Sequence, residues 1–186
     1  MKIYYVTGND GKFEEVSRFV RQENVALELI QARLPITEIQ SMDQKEVALD
    51  KARQAFAQLK KPLLVDDAAI YFEKYNQFPG VFTRYIYTGI GMEGMFKLTQ
   101  PGDRAYFLLY LVYVDELGRA QVFEGRQGGR IVHPAQFTAH PDLPFDDIFI
   151  PDGSDRSYAD LFHAPEFAQF SYRLAAIKSF LASFAD

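Results

Sequence analysis

Apolar and polar positions in the first third of the chain alternate between two periods. A dense run of β-branched and aromatic residues predicts a strand near the N-terminus, and Phe13, Val16 and Val20 then recur at helical spacing. A strand pattern over 27–30 and a helix pattern over 44–59 follow, and a third, short apolar run begins at residue 63. Strand, turn and helix in this order indicate an α/β fold. The predicted elements are strands over 3–6, 27–30 and 63–65, and helices over 12–22 and 44–59.

The remainder of the chain predicts a central strand and a C-terminal helix. Residues 105–114 are apolar throughout, as expected of a strand that is buried on both faces. Apolar residues recur at intervals of three and four from Phe167 to Phe184, which predicts one amphipathic helix beginning near Pro165. Weaker patterns predict a helix over 81–98, a hairpin loop over 115–118, and strands over 120–124 and 148–150.

Composition indicates a single globular domain over residues 1–186. The 17 Phe and 11 Tyr residues are enough to build a sizeable core, and no long stretch predicts disorder. The 20 basic residues are outnumbered by 25 acidic ones and form no basic stripe, so we expect no nucleic acid partner. A few local cations would still suffice to hold a small phosphorylated ligand.

Two absences narrow the chemistry and the expected location. Without cysteine the chain cannot form disulfides, thiolate metal sites or a cysteine nucleophile. The N-terminus lacks the apolar core of a signal peptide, and the longest apolar run has ten residues, too short to span a bilayer. We therefore predict a cytoplasmic protein with no membrane partner.

A turn between the first strand and the first helix has the features of a phosphate-binding segment. Glycine-containing turns of this kind direct backbone N–H groups at a ligand, and the helix N-terminus adds positive potential. Polar side chains and a lysine complete the set, although an ordinary strand-to-helix turn fits the spacing equally well. The predicted phosphate-binding residues are Thr7, Gly8, Asn9, Asp10, Gly11 and Lys12.

Adjacent carboxylates follow the short apolar strand over 63–65. Asp66 and Asp67 at the end of a strand would suit a divalent cation held by oxygen, and ligand sites of open α/β sheets lie at that edge. One carboxylate can bind the metal while the other takes a proton from water. A solvated turn is the more common explanation of an isolated Asp-Asp pair.

Glycines over 89–94 match the GxGxxG pattern of dinucleotide-binding proteins. We discount this match because the pattern must open a full helix, and Pro101-Gly102 leaves room for only one or two turns. A glycine-bearing connection between two helices explains the segment better.

The motifs taken together resemble one known family. Thr7-x-Asn9-x-x-Lys12-x-x-Glu15 is similar to the opening signature of the inosine triphosphate pyrophosphatase (ITPase) family. The similarity continues over essentially the whole chain, in the family's order. Further matching segments are Leu34-Pro35 with Glu38, Lys51, Val65-Asp66-Asp67, Phe78-Pro79-Gly80, Arg84, Phe123–Arg126, Gly129–Ile131, Asp147–Gly153, Tyr158–Asp160 and Ser171-Tyr172-Arg173.

The resemblance implies a fold, an activity and partners. Family members have an elongated mixed β-sheet flanked by helices, with two lobes and a central nucleotide cleft, and they are usually homodimers. They use Mg²⁺ to hydrolyse nucleoside triphosphates to the monophosphate and pyrophosphate. Their substrates are non-canonical purine nucleotides such as ITP, dITP and XTP.

Roles for individual residues follow from the same resemblance. Lys12 and Lys51 would neutralise triphosphate charge, and Asp67 is the candidate general base. The metal ligands would be Glu38, Asp66 and Asp67. Arg84 is a candidate substrate contact, and the residues expected to contact the base are Phe145, Asp146, Tyr172 and Arg173.

The base site departs from the family pattern at three positions. Pro144 stands where the family has glycine and removes an N–H donor. Phe167 replaces a lysine and Tyr172 a histidine, although Phe167 also fits the apolar stripe of the predicted C-terminal helix. We therefore expect weaker discrimination among bases.

These losses leave two other functions open. One alternative is a nucleotide-binding or sensing protein on the same scaffold that has little turnover. Another is an unrelated α/β enzyme such as a phosphatase. The retained Glu38, Asp66 and Asp67 favour the pyrophosphatase, because a protein that only binds nucleotides has little need of such carboxylates.

Overall fold

The computed structural model describes residues 1–23, 26–136 and 143–184. Within them the chain forms a mixed sheet flanked by helices, which confirms the predicted α/β class. The strands are β1 (Lys2–Val6), β2 (Glu28–Ala32), β3 (Leu63–Phe72), β4 (Arg104–Val114), β5 (Ala120–Ile131) and β6 (Phe149–Pro151). The helices are α1 (Asp10–Gln22), α2 (Gln44–Leu59), α3 (Thr83–Leu98), α4 (Tyr158–Leu161), α5 (Phe167–Phe170) and α6 (Tyr172–Ala182), with a 3₁₀ turn over Gly80–Phe82.

The sheet has the strand order β2-β1-β3-β4-β5-β6. β1 pairs in parallel with both β2 and β3, as the strand–helix–strand pattern of the sequence requires, whereas β5 and β6 pair antiparallel. The parallel arrangement brings the C-terminal end of β1, and the turn that follows it, beside β3.

Two compact units divide the chain, and β3, β4 and β5 each contribute to both. The first unit comprises Met1–Asp67, Leu109–Gly125 and the segment from Arg173 onward. In its core, α2 lays three buried alanines against aliphatic residues of the strands. This core cluster consists of Val6, Ala48, Ala52, Ala55, Leu63, Val65, Val112 and Val114.

The second unit comprises Ala68–Leu108 and Arg126–Tyr172. Its core is aromatic: Phe107 meets Phe149 edge to face at 4.9 Å between ring centroids and stacks on Tyr172 at 4.6 Å. Tyr158 and Phe167 extend the same cluster. The abundant phenylalanine and tyrosine of the sequence are thus used largely as core.

β3 continues well beyond the predicted end at residue 65. Residues 68–72 are apolar, and residues 69–72 are buried, which favours a strand. The two aspartates before them have cationic partners that allow them to lie inside it. Asp66 and Asp67 therefore occupy the middle of a strand, and the prediction that they follow one is wrong.

The C-terminal helix is broken where the sequence predicted it to be continuous. Ser171 has extended backbone (ψ 115°) between α5 and α6. The Phe170 carbonyl accepts a hydrogen bond from Tyr158 Oη at 2.7 Å, a partner outside the helix. Phe167 therefore belongs to a short, separate helix, a break that helical spacing alone cannot reveal.

The GxGxxG match lies inside α3, at a kink where Gly91 has φ +63°. This confirms a connection between two helical segments and excludes a helix-opening glycine loop. None of the described helices is both long enough and apolar enough to cross a membrane.

Candidate active site

The turn between β1 and α1 is shaped by its own side chains. Asn9 caps α1 by accepting a hydrogen bond at Oδ1 from the Lys12 N–H at 2.8 Å. Thr7 Oγ1 accepts another from the Asn9 N–H at 3.1 Å. A Cβ placed on Gly8 would meet no heavy atom within 4 Å, so the space over the turn is open. This geometry is compatible with an anion at the helix N-terminus.

Asp10 and Gly11 have surroundings that phosphate binding does not explain. Asp10 pairs with Arg33 and accepts a hydrogen bond from Gln31 Nε2 at 2.9 Å. Gln31 also reaches the Thr7 carbonyl, at 3.3 Å. Gly11 is buried in the first turn of α1. These contacts fasten the turn to the end of β2, and Arg33 is a cation near the turn that the motifs did not indicate.

Asp66 lies at the centre of a buried ion network in the first unit. Its Oδ2 is 3.1 Å from Lys12 Nζ and 3.5 Å from Arg173 Nε, and Arg173 also pairs with Glu15. The side chains of Asp66, Glu15 and Arg173 are at most 3% exposed. Burial alone would raise the pKa of Asp66, but the Lys12 and Arg173 cations outweigh it and hold that pKa at about 2. Asp66 is therefore an anion at neutral pH that anchors two cations.

Two neighbours complete this network. Burial lowers the pKa of Lys12, an effect that the Asp66 carboxylate opposes. The Tyr5 hydroxyl is buried near Asp66. Within the described part of the chain, it makes no hydrogen bond of normal distance and angle. Burial and then the Asp66 charge raise the pKa of Tyr5, so this phenol stays neutral.

Asp67, the next residue of β3, has a different set of partners. Lys51 Nζ donates to Asp67 Oδ1 at 3.0 Å and to Glu38 Oε1 at 2.8 Å. Burial alone would lower the pKa of Lys51, but the Asp67 and Glu38 carboxylates outweigh it and hold that pKa above its usual range. The three side chains are 12–28% exposed, so a ligand can reach them.

The three predicted metal ligands do not converge on one point. Consecutive residues of a strand project to opposite faces, and Asp66 and Asp67 both lie within β3. In the ranges that the structure describes, no three acidic or histidine side chains are grouped so that they could hold a metal ion. Glu38 and Asp67 are brought together on Lys51, while Asp66 is paired with Lys12 and Arg173.

Two contributors to the site were not among the predicted site residues. Gln44, at the start of α2, is buried and donates from Nε2 to the Asp67 carbonyl at 3.0 Å, which fixes the backbone there. Glu15 appeared only as the last letter of a signature. Glu15 stands beside Val16 on the buried side of α1, and a buried carboxylate requires a cation as partner. That position was the signal for its role.

The predicted base contacts have mixed surroundings. In the second unit the Phe145 ring is buried, and its centroid lies 5.5 Å from that of Tyr87. The Tyr172 ring is stacked on Phe107. Phe167 is buried against Tyr158, which supports the core interpretation of this residue.

The remaining predicted contacts divide between solvent and interior. Arg84 is exposed in the first turn of α3, and Asp146 accepts a hydrogen bond at its carbonyl from the Ala159 N–H at 3.0 Å. Arg173 lies instead in the first unit, where its guanidinium is engaged with Glu15 and Asp66. A direct base contact by Arg173 stays a prediction.

Comparison with known proteins identifies the family of the chain. The Ham1 family model matches residues 3–183, which is nearly the whole chain. The chain belongs to the Ham1 family.

Curated relatives of this Ham1 chain carry related names. The dITP/XTP pyrophosphatase of Methanopyrus kandleri is 31% identical over 182 residues, covering 97% of this chain and 94% of the relative. The inosine triphosphate pyrophosphatase of Saccharomyces cerevisiae is 31% identical over 169 residues, covering 86% of this chain and 84% of the relative. The predicted resemblance to the ITPase family is thereby confirmed.

Solved structures agree on the fold. A HAM1 protein from Coxiella burnetii and the Ham1 protein of Staphylococcus aureus each align with a TM-score of 0.77 at 22% identity. Each alignment covers 100% of this chain and 98% of the other. The Ham1 fold thus extends over the full length of this chain.

Proposed function

We propose that this protein hydrolyses non-canonical purine nucleoside triphosphates, such as ITP, dITP and XTP, to the monophosphate and pyrophosphate. The observation that carries the proposal is the Lys51–Glu38–Asp67 set, in the same compact unit as the capped turn that bears Lys12. The names of the relatives support the substrate class.

The charge of the site favours a divalent cation, with Mg²⁺ as our candidate. Three cations and four carboxylates join in the ion pairs around Asp66 and Asp67, which leaves one net negative charge. Such a set repels a triphosphate, so the substrate needs additional positive charge in order to bind. A magnesium ion brought with the phosphates supplies it.

Glu38 and Asp67 fit the role of metal ligands. Both have an oxygen within 3.0 Å of the same ammonium group, so their carboxylates are already close enough to share one cation. Magnesium is commonly held by one or two carboxylates together with substrate phosphates. When bound it would lower the pKa of a bound water and neutralise phosphate charge. Lys51, once released from the two carboxylates, would be available to the triphosphate.

Asp67 is the better candidate for the base that takes a proton from water. A general base must be accessible and must accept a proton near neutral pH. Asp66 has a pKa of about 2, a side chain that is 1% exposed, and two cations on its carboxylate. It meets neither condition, whereas Asp67 is within reach of solvent.

The exposed face of α3 supports the proposed homodimer. This sixteen-residue helix is rich in apolar residues, yet Met95 is its one buried residue. Tyr85 and Ile90 are 61% and 44% exposed. A second copy of the chain would cover this surface, and Ile90→Asp should then shift the protein to a monomer in analytical ultracentrifugation.

A substrate panel tests the proposed reaction. The protein is incubated with inosine, xanthosine, guanosine and adenosine triphosphates and Mg²⁺, while pyrophosphate and orthophosphate are detected separately. We expect pyrophosphate, and we expect its release to stop when the metal is chelated. Orthophosphate as the first product would indicate a phosphatase, and binding without turnover would indicate a nucleotide sensor.

A further inference from the structure

The segment that carries Glu38 is held by the side chains of another element. Residues 33–41 contain neither helix nor strand, so they lack the backbone pairing of regular structure. Gln54 of α2 supplies hydrogen bonds to the backbone of Thr37. Its Oε1 accepts from the Thr37 N–H at 3.0 Å, and its Nε2 donates to the Thr37 carbonyl at 2.7 Å. One amide thus satisfies both backbone groups of one residue, as a neighbouring strand would.

The anchor lies directly beside the chemistry. Thr37 precedes Glu38 in sequence, and Gln54 lies one helical turn after Lys51, so the two side chains project from the same side of α2. Lys51 holds the Glu38 carboxylate while Gln54 holds the backbone immediately before it. Asp50, one turn earlier, accepts from the same Gln54 amide at 2.7 Å and orients it.

We propose that Gln54 is a positioning residue, which fixes the Thr37 backbone so that the Glu38 carboxylate meets Lys51 and Asp67 in the geometry that the reaction requires. The proposal rests on the proposed function, because it takes the role of Glu38 from there. The Glu38 side chain extends from an irregular segment, and its ion pair with Lys51 is partly exposed to water. Residues 33–41 have no helix or strand to fix the position of Glu38, so the backbone anchor at Thr37 adds precision to this side-chain contact.

A double-mutant cycle tests this role. Gln54→Ala should lower kcat/KM about tenfold, since small misplacement of a reacting group can cost up to ~10²-fold. In a Glu38→Gln background the same substitution should change kcat/KM less than about twofold, because groups that act as one unit are not additive. A merely structural role would instead give the same loss in both backgrounds.

Gln58→Ala is the matched control. Gln58 is the next amide along α2 and donates to the Pro35 carbonyl at 3.2 Å, further from Glu38. We expect it to change kcat/KM less than about twofold.

Thermal unfolding of the four cycle proteins separates this proposal from the proposed function. If the wild-type chain hydrolyses no nucleoside triphosphate, the proposed function fails, and the melting temperatures still show whether Gln54 and Glu38 are coupled. Additive losses in kcat/KM, wild-type activity of Gln54→Ala, or an equal loss in Gln58→Ala would overturn the positioning role. For an inactive wild-type chain, additive shifts in melting temperature would overturn it.

Discussion

Asp66 and Asp67 are neighbours in sequence but belong to two different environments. Asp66 is sealed among Lys12, Arg173 and Tyr5, and its side chain is 1% exposed. Asp67 shares Lys51 with Glu38, where solvent can reach all three side chains. Strand geometry explains the difference, because adjacent residues of β3 project to opposite faces.

The comparison shows that two identical side chains can have different surroundings, and under the proposed function they divide structural and chemical work. The charged groups of the Asp66 network are paired with one another and largely buried, which fits a structural role. The Asp67 set keeps access to ligands and has two carboxylates on one ammonium. Each of the following predictions tests whether the division is as sharp as the contacts indicate.

The largest expected effect is on stability, at Arg173. Arg173→Met should destabilise the fold by about 3–5 kcal/mol, because it leaves the buried carboxylates of Glu15 and Asp66 short of a counter-charge. Urea unfolding measures the loss. The matched control is Arg156→Met, which breaks an exposed pair with Glu166 and should cost at most about 1 kcal/mol. Equal costs at the two positions would contradict the structural role of the network.

A smaller effect is expected from acid. The pKa of Asp66 in the folded chain, about 2, lies below the value of about 4 for an unfolded chain. The stabilisation is therefore complete above pH ~4 and is lost as the pH falls toward 2, by about 2 kcal/mol. Unfolding free energies between pH 5 and pH 2 measure the slope. Asp66→Asn should flatten it, and an unchanged slope in that variant would show that other groups cause the acid sensitivity.

The smallest expected effect concerns the choice of base, where the resemblance predicts a departure from the family pattern. Pro144 lacks an N–H, Phe167 is core, and Tyr172 is stacked on Phe107, so few polar groups remain to reject a wrong base. We expect kcat/KM to favour inosine or xanthosine triphosphate over adenosine triphosphate by only ~10–10²-fold. A preference above ~10³-fold, about 4 kcal/mol, would show that other residues compensate.

The sequence was most informative where chemistry depends on nearby residues. The Thr7–Lys12 turn was predicted because strand, glycine and helix follow one another within a few positions, and α2 was predicted with its observed bounds. Glu38, Lys51 and Asp67 were predicted from family motifs, and the structure brings them into contact.

Contacts between residues that are far apart in the sequence could not be predicted from local patterns. Arg173 and Glu15 are 158 residues apart, and no local pattern pairs them, so the ion pair between them was not predicted. Two adjacent carboxylates predicted the end of a strand, because the cations that pair with Asp66 and Asp67 are not near them in the sequence. These partners come from α1, α2 and the C-terminal segment. The break at Ser171 depends on Tyr158, a tertiary contact that periodicity cannot encode.

The most direct test compares Asp67→Asn with Asp66→Asn, two substitutions of nearly identical shape at adjacent positions. Turnover of inosine triphosphate is measured at saturating substrate and Mg²⁺, at a temperature where both variants are folded. We predict that Asp67→Asn lowers kcat by ~10²–10⁴-fold with a much smaller change in KM, as expected for a lost general base. Asp66→Asn should keep kcat within about tenfold of wild type, because the Asp66 side chain is buried and paired with Lys12 and Arg173. A near-wild-type rate in Asp67→Asn, or a larger loss of kcat in Asp66→Asn, would contradict the division between the two aspartates.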